Sequence, residues 1–409
     1  MKRFVCMMLL VLLLAIPVLA IPAAADDTVT LYVYNWGEYI SDGSEDSYNS
    51  NAEFEKWYYE TYGQRVKVNY STYNSNEDMY AKISGGGTKY DIVVPSDYMI
   101  ARMIKEGLLR KLNKENIPNL EYIELPEVLG KDAPYYDPTG EYTVPYTYGI
   151  IGIIYNTKKV DEEDLTGWDL MWNEKYKGDI LQFNNSRDAF ATAMFKLGYS
   201  VNTMKEEEWR AALEELKKQK SVLQGYVMDE IFNKMETNSA AISAYYVGDF
   251  FSMYEKNEDL GFFCPPEGTN VFGDAMCILK SSQHPEIAER WINFMLSEEP
   301  AVANAEMTCY ASPNRLVFEN EDYQNDMKEI HEDAMEILYG FKDVPMEYYE
   351  NLPEEELALI NNLWEELKIK SSVNVVIIVV ASIIAVVVAG VVVFFLVRRS
   401  RRKKRLMNL

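Results

Sequence analysis

Strand-like and helix-like segments alternate along the chain from about residue 29 to residue 368. This alternation is typical of an α/β protein, in which helices cover a sheet. Ligands of open α/β sheets bind beyond the carboxyl ends of the strands, so functional residues are expected there. The strand candidates are Val29–Tyr34, Val66–Tyr70, Asp91–Pro95, Gly149–Tyr155, Asp179–Phe183, Ala240–Tyr246 and Ala275–Leu279.

Three helices are indicated by their ends or by their apolar faces. Thr203 and Glu206 have the spacing of a capping box, which predicts a helix that begins ahead of Trp209. Pro285 suits the first turn of another helix. A last helix is predicted from about Glu354 to Lys368, since its large apolar residues share one side. These residues are Leu357, Ile360, Leu363, Trp364 and Leu367.

The two ends of the chain predict export and membrane attachment. Residues 1–25 have the features of a signal peptide, because Lys2 and Arg3 precede an apolar run that closes in small residues. Val375–Val397 contains no charged residue. As a helix it would measure roughly 34 Å, which is enough to cross a hydrocarbon core of about 30 Å. The basic residues of segment 398–409 predict a cytoplasmic tail, so the segment before the transmembrane helix lies outside the cytoplasm.

The exported segment is strongly acidic. The whole chain carries a formal net charge of −24, although both of its ends are basic. An acidic surface favours cationic ligands and disfavours nucleic acid. Surface acidity also serves solubility, so charge alone does not identify the ligand.

Length and cysteine content limit the organisation of the exported segment. At about 350 residues it exceeds one ordinary core, which predicts two domains or lobes. Its three cysteines are Cys264, Cys277 and Cys309. An odd number without metal-like spacing argues against a disulfide framework, while one bridge with a spare thiol remains open.

The sequence carries no recognisable catalytic or metal-binding motif. Its two histidines, His284 and His331, stand far apart and outside any metal-ligand spacing. No serine elbow, cysteine–histidine pairing or dinucleotide fingerprint occurs. The sequence therefore predicts a protein that is not an enzyme and that has no metal or cofactor.

Aromatic residues beside polar or acidic residues recur where the predicted strands end. Each such group alone fits a core aromatic residue beside a solvated acid. Several groups together predict one shared crevice. The groups are Trp36 and Tyr39 with Glu38, Ser96 and Tyr98 with Asp97, Asn185 with Asp188, Tyr246 with Asp249, and Phe272 with Asp274.

A series of motifs resembles the polyamine-binding receptors of spermidine/putrescine ABC importers. In chain order they are LYVYNWGEYI, YSTYNSNEDMYAKI, YDIVVPSDYMI, LRKLNKENIPNL, VPYTYGIIGIIYN, GWDLMWNEKYKGDI and KLGYSVNT. The resemblance extends to about Lys368. It implies an α/β, two-lobed, type II periplasmic-binding-protein-like fold that closes by hinge motion, followed here by the C-terminal transmembrane helix. One lobe would hold residues 27–147 with 275–318, and the other residues 148–274 with 319–370.

The same resemblance implies a set of ligand contacts. They are Trp36, Tyr39, Ser96, Tyr98, Asn185, Asp188, Tyr246, Phe272, Asp274, Tyr310 and, from a weaker local match, Glu350. Some positions depart from the commonest pattern of the family. Gly37 stands where a hydroxyl residue can occur, Asn185 where an aspartate can and Asp188 where a glutamate can. Tyr246 and Phe272 stand where tryptophans can occur, so the length of the preferred amine stays open.

The implied residues suit the chemistry of a polyamine, which is a methylene chain that carries ammonium groups. Carboxylates pair with the ammonium groups, and aromatic faces hold both methylenes and cations. We expect Asp274 to anchor one ammonium and Asp188 another. Three other interpretations remain open. The same fold could bind ferric ion or a sugar, the chain could be a membrane-tethered enzyme that acts on glycans, or it could be a tethered sensor or adhesion protein. The neighbouring Tyr245 and Tyr246 would suit ferric ion, but such pairs arise by chance among 30 tyrosines.

The partners follow from the same reading. A receptor of this kind would pass its ligand to a separate ABC permease driven by a cytoplasmic ATPase, because this chain has one predicted transmembrane helix and no nucleotide motif. The predicted localisation is the cell membrane, with a single pass and with the binding domain on the extracellular or periplasmic side. Attachment would raise the concentration of the receptor near the permease.

Overall fold

The computed structural model describes residues 28–44, 47–130, 133–340 and 344–368. The predicted signal peptide, the predicted transmembrane helix at residues 375–397 and the basic tail lie outside these ranges. Among the described residues, no helix combines the length and the apolar character needed to span a membrane.

The described residues form an α/β structure, which confirms the predicted class. Its strands are β1 (Val29–Trp36), β2 (Val66–Tyr73), β3 (Ile92–Val93), β4 (Thr143–Asn156), β5 (Ile180–Phe183), β6 (Leu223–Val227), β7 (Ile242–Tyr246), β8 (Leu260–Phe263), β9 (Thr269–Ile278) and β10 (Met346–Glu347).

Helices precede, separate and follow these strands. They are α1 (Ser50–Tyr62), α2 (Asn76–Ser84), α3 (Asp97–Lys105), α4 (Ser186–Leu197), α5 (Glu206–Gln219), α6 (Glu230–Glu236), α7 (Val247–Tyr254), α8 (Pro285–Met295), α9 (Glu298–Thr308), α10 (Arg315–Phe318), α11 (Glu321–Ile330), α12 (Ala334–Tyr339) and α13 (354–368). Short 3₁₀ helices cover Lys114–Asn116, Pro118–Tyr122, Glu127–Leu129, Glu162–Asp164, Trp168–Trp172 and Glu174–Tyr176.

Strand β4 connects two groups of strands. The hydrogen-bonded order is β2-β1-β3-β9-β4-β7-β5-β6, with β8 beside β4 and β10 beside β9. Residues 143–150 of β4 pair with β9, whereas residues 151–156 pair with β7 and β8. Strands β1, β2 and β3 run parallel to one another, as do β5, β6 and β7. The carboxyl ends of both parallel groups supply residues to the cavity described below.

The predicted strands are observed with displaced ends. Strand β4 begins at Thr143 rather than at Gly149, and β9 begins at Thr269 rather than at Ala275. Both strands are buried almost throughout their length. A strand that is buried on both faces lacks the alternation of apolar and polar residues that would mark its ends.

The capping box predicted at Thr203 is wrong. Helix α5 begins at Glu206 and its N-cap residue is Lys205. The Thr203 hydroxyl instead accepts a hydrogen bond from the Lys205 amide at 3.2 Å, while the Thr203 carbonyl accepts one from Trp209 Nε1 at 3.0 Å. Three successive glutamates in the first turn of α5 provide the negative charge that favours a helix start without that cap.

The other two helix predictions are confirmed. Pro285 occupies the first turn of α8, where a proline loses no intrahelical hydrogen bond. Helix α13 covers residues 354–368 and buries Ile360, Leu363 and Leu367, as their spacing predicts. All three cysteines of the described residues are free, so the disulfide that the sequence left open is not present there.

The buried apolar residues form two large hydrophobic cores and one small aromatic cluster. The first includes Leu31 of β1 and Trp291 of α8, and the second, which is larger, includes Trp168 and Trp209. Complete burial of a large apolar side chain contributes about 1.5–3 kcal/mol. The small cluster consists of Tyr39, Phe272 and Tyr310. It stands apart from both cores because its rings line the cavity that we describe next.

Candidate ligand-binding site

A cavity of about 770 Å³, including its open mouth, lies where the two groups of strands meet. Segments that follow β1, β3, β5, β6 and β7 line it, together with the middle of β9. Ten of the eleven predicted contact residues are among its lining residues. They are Trp36, Tyr39, Ser96, Tyr98, Asn185, Asp188, Tyr246, Phe272, Asp274 and Tyr310.

The turn after β1 presents two aromatic residues to the cavity. Asn35, the last residue but one of β1, holds this turn: its side-chain oxygen accepts a hydrogen bond from the Trp36 amide at 2.8 Å, and its side-chain nitrogen donates to the Tyr39 carbonyl at 3.4 Å. Glu38 adopts a left-handed conformation with φ of 47°. This turn places the Trp36 and Tyr39 rings in the lining of the cavity.

Gly37 lies in the same turn, at a position where the resemblance predicts that a hydroxyl residue can occur. A Cβ atom on Gly37 would lie 2.8 Å from Asp229 Oδ2. Asp229 follows β6 and approaches from the other side of the cavity. The glycine therefore leaves room for this carboxylate at the rim.

Asp274 is the most unusual carboxylate of the cavity. It lies in the middle of β9 opposite Thr147 of β4, and its side chain is buried. The Tyr39 hydroxyl donates to Asp274 Oδ2 at 2.5 Å and also lies 2.5 Å from Thr147 Oγ1. Asp274 Oδ1 is buried and has no hydrogen-bond partner among the described residues. Burial raises the pKa of Asp274 to about 6, and the hydroxyl groups of Tyr39 and Ser96 oppose this shift.

Asp188 has the opposite character, because both of its carboxylate oxygens are already hydrogen-bonded. Asn185, the N-cap residue of α4, accepts from the Asp188 amide at 2.9 Å and donates to Oδ2 at 2.7 Å. Tyr246 donates to Oδ2 at 2.5 Å and Tyr349 donates to Oδ1 at 2.9 Å. Burial raises the pKa of Asp188, and these hydrogen bonds oppose the shift.

Aromatic rings form the walls between these carboxylates. Tyr39 and Tyr310 meet edge to face with ring centres 5.4 Å apart. Phe272 contacts Tyr246 at 5.5 Å and Tyr310 at 6.0 Å in the same manner. Trp36 packs against Tyr73, which lies behind it, at 4.7 Å. Such a box presents ring faces and edges to a ligand that carries both methylene groups and positive charge.

Three further aspartates line the cavity although they are not among the eleven predicted contacts. Burial raises the pKa of Asp97 to about 7, and a hydrogen bond from Tyr135 opposes this shift. Burial raises the pKa of Asp249 to about 8, with a further contribution from the charge of Asp229. Asp97 and Asp249 each lie beside an aromatic residue at the end of a predicted strand, and this pattern could have identified them as lining residues. Asp229 follows β6, a strand that the sequence did not predict.

The structure does not bring Glu350 into the cavity. Its side chain is exposed, and its backbone amide donates to Asn202 Oδ1 at 2.9 Å. The preceding residue, Tyr349, lines the cavity instead and bonds to Asp188. The prediction missed by one residue because the local motif is weak and side chains alternate direction in an extended segment.

The cavity does not resemble a metal site. Among the described residues, no group of three or more histidine, cysteine, aspartate or glutamate side chains is arranged to hold a metal ion. Tyr245 and Tyr246 both line the cavity, but the Tyr246 hydroxyl donates to Asp188. The arrangement provides anionic acceptors and aromatic walls, which suit an organic cation.

Comparisons with known proteins agree with this geometry. Residues 87–336 match the family described as bacterial extracellular solute-binding protein. The spermidine/putrescine-binding periplasmic protein of Escherichia coli is 33% identical over 293 residues, which cover 71% of this chain and 80% of that protein. The putrescine-binding periplasmic protein SpuD of Pseudomonas aeruginosa is 30% identical over 364 residues, which cover 84% and 95%.

Solved structures show the same fold. The substrate-binding protein PotD of a spermidine/putrescine ABC transporter from Streptococcus pneumoniae superposes with a TM-score of 0.64 at 33% identity, covering 83% of this chain and 99% of that one. A structure from Listeria monocytogenes gives a TM-score of 0.71 at 33% identity, with coverage of 83% and 98%. The α/β fold of this chain is therefore that of periplasmic binding proteins.

The packing behind Tyr310 predicts that Gly248 cannot be enlarged. A Cβ atom on Gly248 would lie 2.5 Å from three atoms of the Tyr310 ring. We expect Gly248→Ala to lower the free energy of unfolding by about 1–3 kcal/mol, since overpacking forces the ring to move. Chemical denaturation measures this change.

Gly225→Ala in β6 is the matched control, because a Cβ atom there meets nothing within 4 Å. We expect this control to keep or to increase stability, by up to about 1 kcal/mol. Equal stability of the two variants would contradict the packing described around Tyr310.

Proposed function

Because the chain belongs to the bacterial extracellular solute-binding proteins, we propose that it captures polyamines in this cavity and delivers them to an ABC importer. Relatives named for spermidine and putrescine binding support the ligand class. The proposal makes the protein a receptor and not an enzyme. Its ligand would leave unchanged.

One observation of the cavity carries this proposal. Asp274 Oδ1 is a buried carboxylate oxygen that has no hydrogen-bond partner among the described residues, and it belongs to an aromatic-lined cavity. A buried anionic acceptor without a donor is costly, so its presence points to a donor that arrives with the ligand. A primary ammonium has three N–H groups and a positive charge, which satisfy this oxygen directly.

The rest of the ligand would lie against the aromatic walls. Trp36, Tyr39, Tyr246 and Phe272 would hold the methylene chain, and each cation over a ring face gains about 0.5–2 kcal/mol. Asp188 would receive a second ammonium. Its oxygens already accept hydrogen bonds from hydroxyl groups, so the ligand would share them instead of filling an unused acceptor. Ser96, Asn185 and Tyr310 would add polar contacts.

We also propose that two lobes close over the ligand. One would hold residues 27–147 with 275–318, and the other residues 148–274 with 319–370. The distribution of lining residues supports this division, because Trp36 and Ser96 would stand opposite Asp188 and Tyr246. The close approach of Gly37 to Asp229 is consistent with contact between the lobes at the rim.

Attachment to the membrane is a further part of the proposal. The uncharged segment Val375–Val397 and the basic tail support a single transmembrane helix with the tail in the cytoplasm. Helix α13 is described as far as residue 368, so only a few residues would separate the receptor from the predicted transmembrane helix. The binding domain would lie outside the cytoplasm, close to the ABC permease that accepts the ligand and that a cytoplasmic ATPase drives.

Binding of polyamines by two variants tests the anchor assignment. Asp274→Asn removes the charge, and the loss of one partner of a buried ion pair costs about 2–5 kcal/mol, or at least about 30-fold in affinity. Tyr39→Phe removes the hydroxyl that contacts Asp274 and Thr147 but keeps the negative charge, so the loss of affinity should stay near or below tenfold, or about 1.4 kcal/mol. Calorimetric titration with putrescine and spermidine measures both affinities. Equal losses of affinity in the two variants would contradict the assignment of Asp274 as the anchor.

Polyamine affinity should rise with pH between about pH 5.5 and about pH 8.5. Burial raises the pKa values of Asp274, Asp97 and Asp249 to about 6, 7 and 8. A bound polycation favours the ionised carboxylates, so binding below these pKa values must release protons. Titrations in two buffers with different ionisation enthalpies measure the affinity and the protons released. An affinity that is constant or that falls as pH rises would contradict the proposed role of these acids.

A further inference from the structure

Arg187 is a buried cation immediately behind the wall of the cavity. It lies in the first turn of α4, next to Asp188, and only 4% of its surface is exposed. Its Nη2 donates to Asn202 Oδ1 at 3.4 Å. Its Nε and Nη1 are buried without a hydrogen-bond partner among the described residues. It is costly to bury a guanidinium group that lacks hydrogen-bond partners, so the position of Arg187 needs an explanation.

Two tyrosine rings separate this guanidinium from the cavity. Its central carbon lies 4.4 Å from the ring centre of Tyr349 and 5.2 Å from that of Tyr98. The two rings meet edge to face at 5.7 Å, and both line the cavity. Cation–π contact of this kind stabilises a buried guanidinium and fixes the rings.

The hydroxyl groups of the two rings continue this contact to carboxylates. Tyr349 donates to Asp188 Oδ1 at 2.9 Å, and Tyr98 donates to Glu77 Oε1 at 2.8 Å. Both carboxylates belong to the lining of the cavity. Arg187 therefore contacts the rings on one side, while the ring hydroxyls hold the carboxylates on the other.

The charge of Arg187 also acts through space on three acids. Burial raises the pKa values of Glu77, Asp97 and Asp188, and the positive charge of Arg187 opposes the shift in each case. Other groups also face these acids. Asp188 is faced by Asn185, Tyr246 and Tyr349, and Glu77 is faced by Tyr98 and Asp188. Asp97 is faced by Tyr135, the Tyr98 amide and Asp274. None of these other groups is a cation.

We propose that Arg187 is a positioning residue of the binding site, which holds the Tyr98 and Tyr349 rings in the wall and places a positive charge beside Asp188 that favours its carboxylate form. Arg187 itself does not touch the ligand, because the two rings lie between the guanidinium group and the cavity. The inference rests on the proposed function, since it assigns Asp188 to an ammonium group of a polyamine.

The pH profile of binding in Arg187→Gln distinguishes this role from a purely structural one. Without the fixed charge the neighbouring carboxyl groups hold their protons to higher pH. We expect the putrescine and spermidine affinities of Arg187→Gln to fall relative to wild type at low pH, by up to about tenfold for each unit by which the pKa of Asp188 rises, and to approach the wild-type values as the pH rises. An equal loss at every pH, or a wild-type profile, would overturn the inference.

Two further variants make the test independent of folding defects. Arg187→Lys keeps the charge and loses the planar stacking, so its pH profile should have the wild-type shape at a lower affinity. A profile like that of Arg187→Gln would contradict the role of the charge. Arg102→Gln is the matched control. Arg102 lies over the Tyr80 ring at 3.9 Å and pairs with Glu106, so its removal should leave the profile unchanged.

A measurement without ligand separates this inference from the proposed function. Carboxyl-carbon NMR of the ligand-free protein reports the pKa of Asp188 directly. Arg187→Gln should raise this pKa and Arg102→Gln should not, whichever ligand the cavity takes. If the wild type binds no polyamine, the proposed function fails while this titration still decides the role of Arg187. An unchanged pKa in Arg187→Gln would overturn the inference.

Discussion

The antiparallel pairing of β4 with β9 is the interaction on which the rest of the structure depends. It joins the two groups of parallel strands, because β4 pairs with β9 through residues 143–150 and with β7 and β8 through residues 151–156. Its register sets Asp274 opposite Thr147, and an irregularity between Pro145 and Thr147 interrupts it at that point. Both strands are buried, so the register cannot slip without exposing their apolar faces. A carboxylate in such a strand has a fixed position, because the residues around it have little freedom to move.

The cavity concentrates acids where burial opposes their ionisation. Asp97, Asp188 and Asp274 are each at most 7% exposed, and burial raises the pKa of each. Hydroxyl donors compensate part of this cost: Tyr135 for Asp97, Tyr246 and Tyr349 for Asp188, and Tyr39 for Asp274. The compensation is incomplete at Asp274 Oδ1. A polycation would complete it, and this physical deficit links the fold to the proposed ligand.

Part of the fold and most of the candidate site could be predicted from the sequence, whereas the ends of several elements could not. The α/β class follows from the alternation of segments, and the motifs that resemble polyamine receptors identify ten residues that line one cavity. The strand ends of β4 and β9 were misplaced because burial on both faces removes the periodic signal. The predicted N-cap of α5 is wrong because the Thr203 hydroxyl accepts from the Lys205 amide and not from an amide in the first turn of the helix.

Other features depend on contacts between distant segments, which a sequence does not display. Asp229 meets Gly37 across the cavity, and Arg187 packs against rings from positions 98 and 349. Tyr349 and not Glu350 enters the cavity, where its hydroxyl donates to Asp188 from a distant segment of the chain. Such tertiary relations decide which of two neighbouring residues is functional, and local patterns cannot distinguish them.

A crystal structure of the protein grown with putrescine or spermidine tests the central claim most directly. The account predicts an ammonium nitrogen within about 3.2 Å of Asp274 Oδ1, with the methylene chain against the aromatic walls of the cavity. A well-ordered amine that leaves Asp274 without an ammonium partner, or that binds outside this cavity, would contradict it.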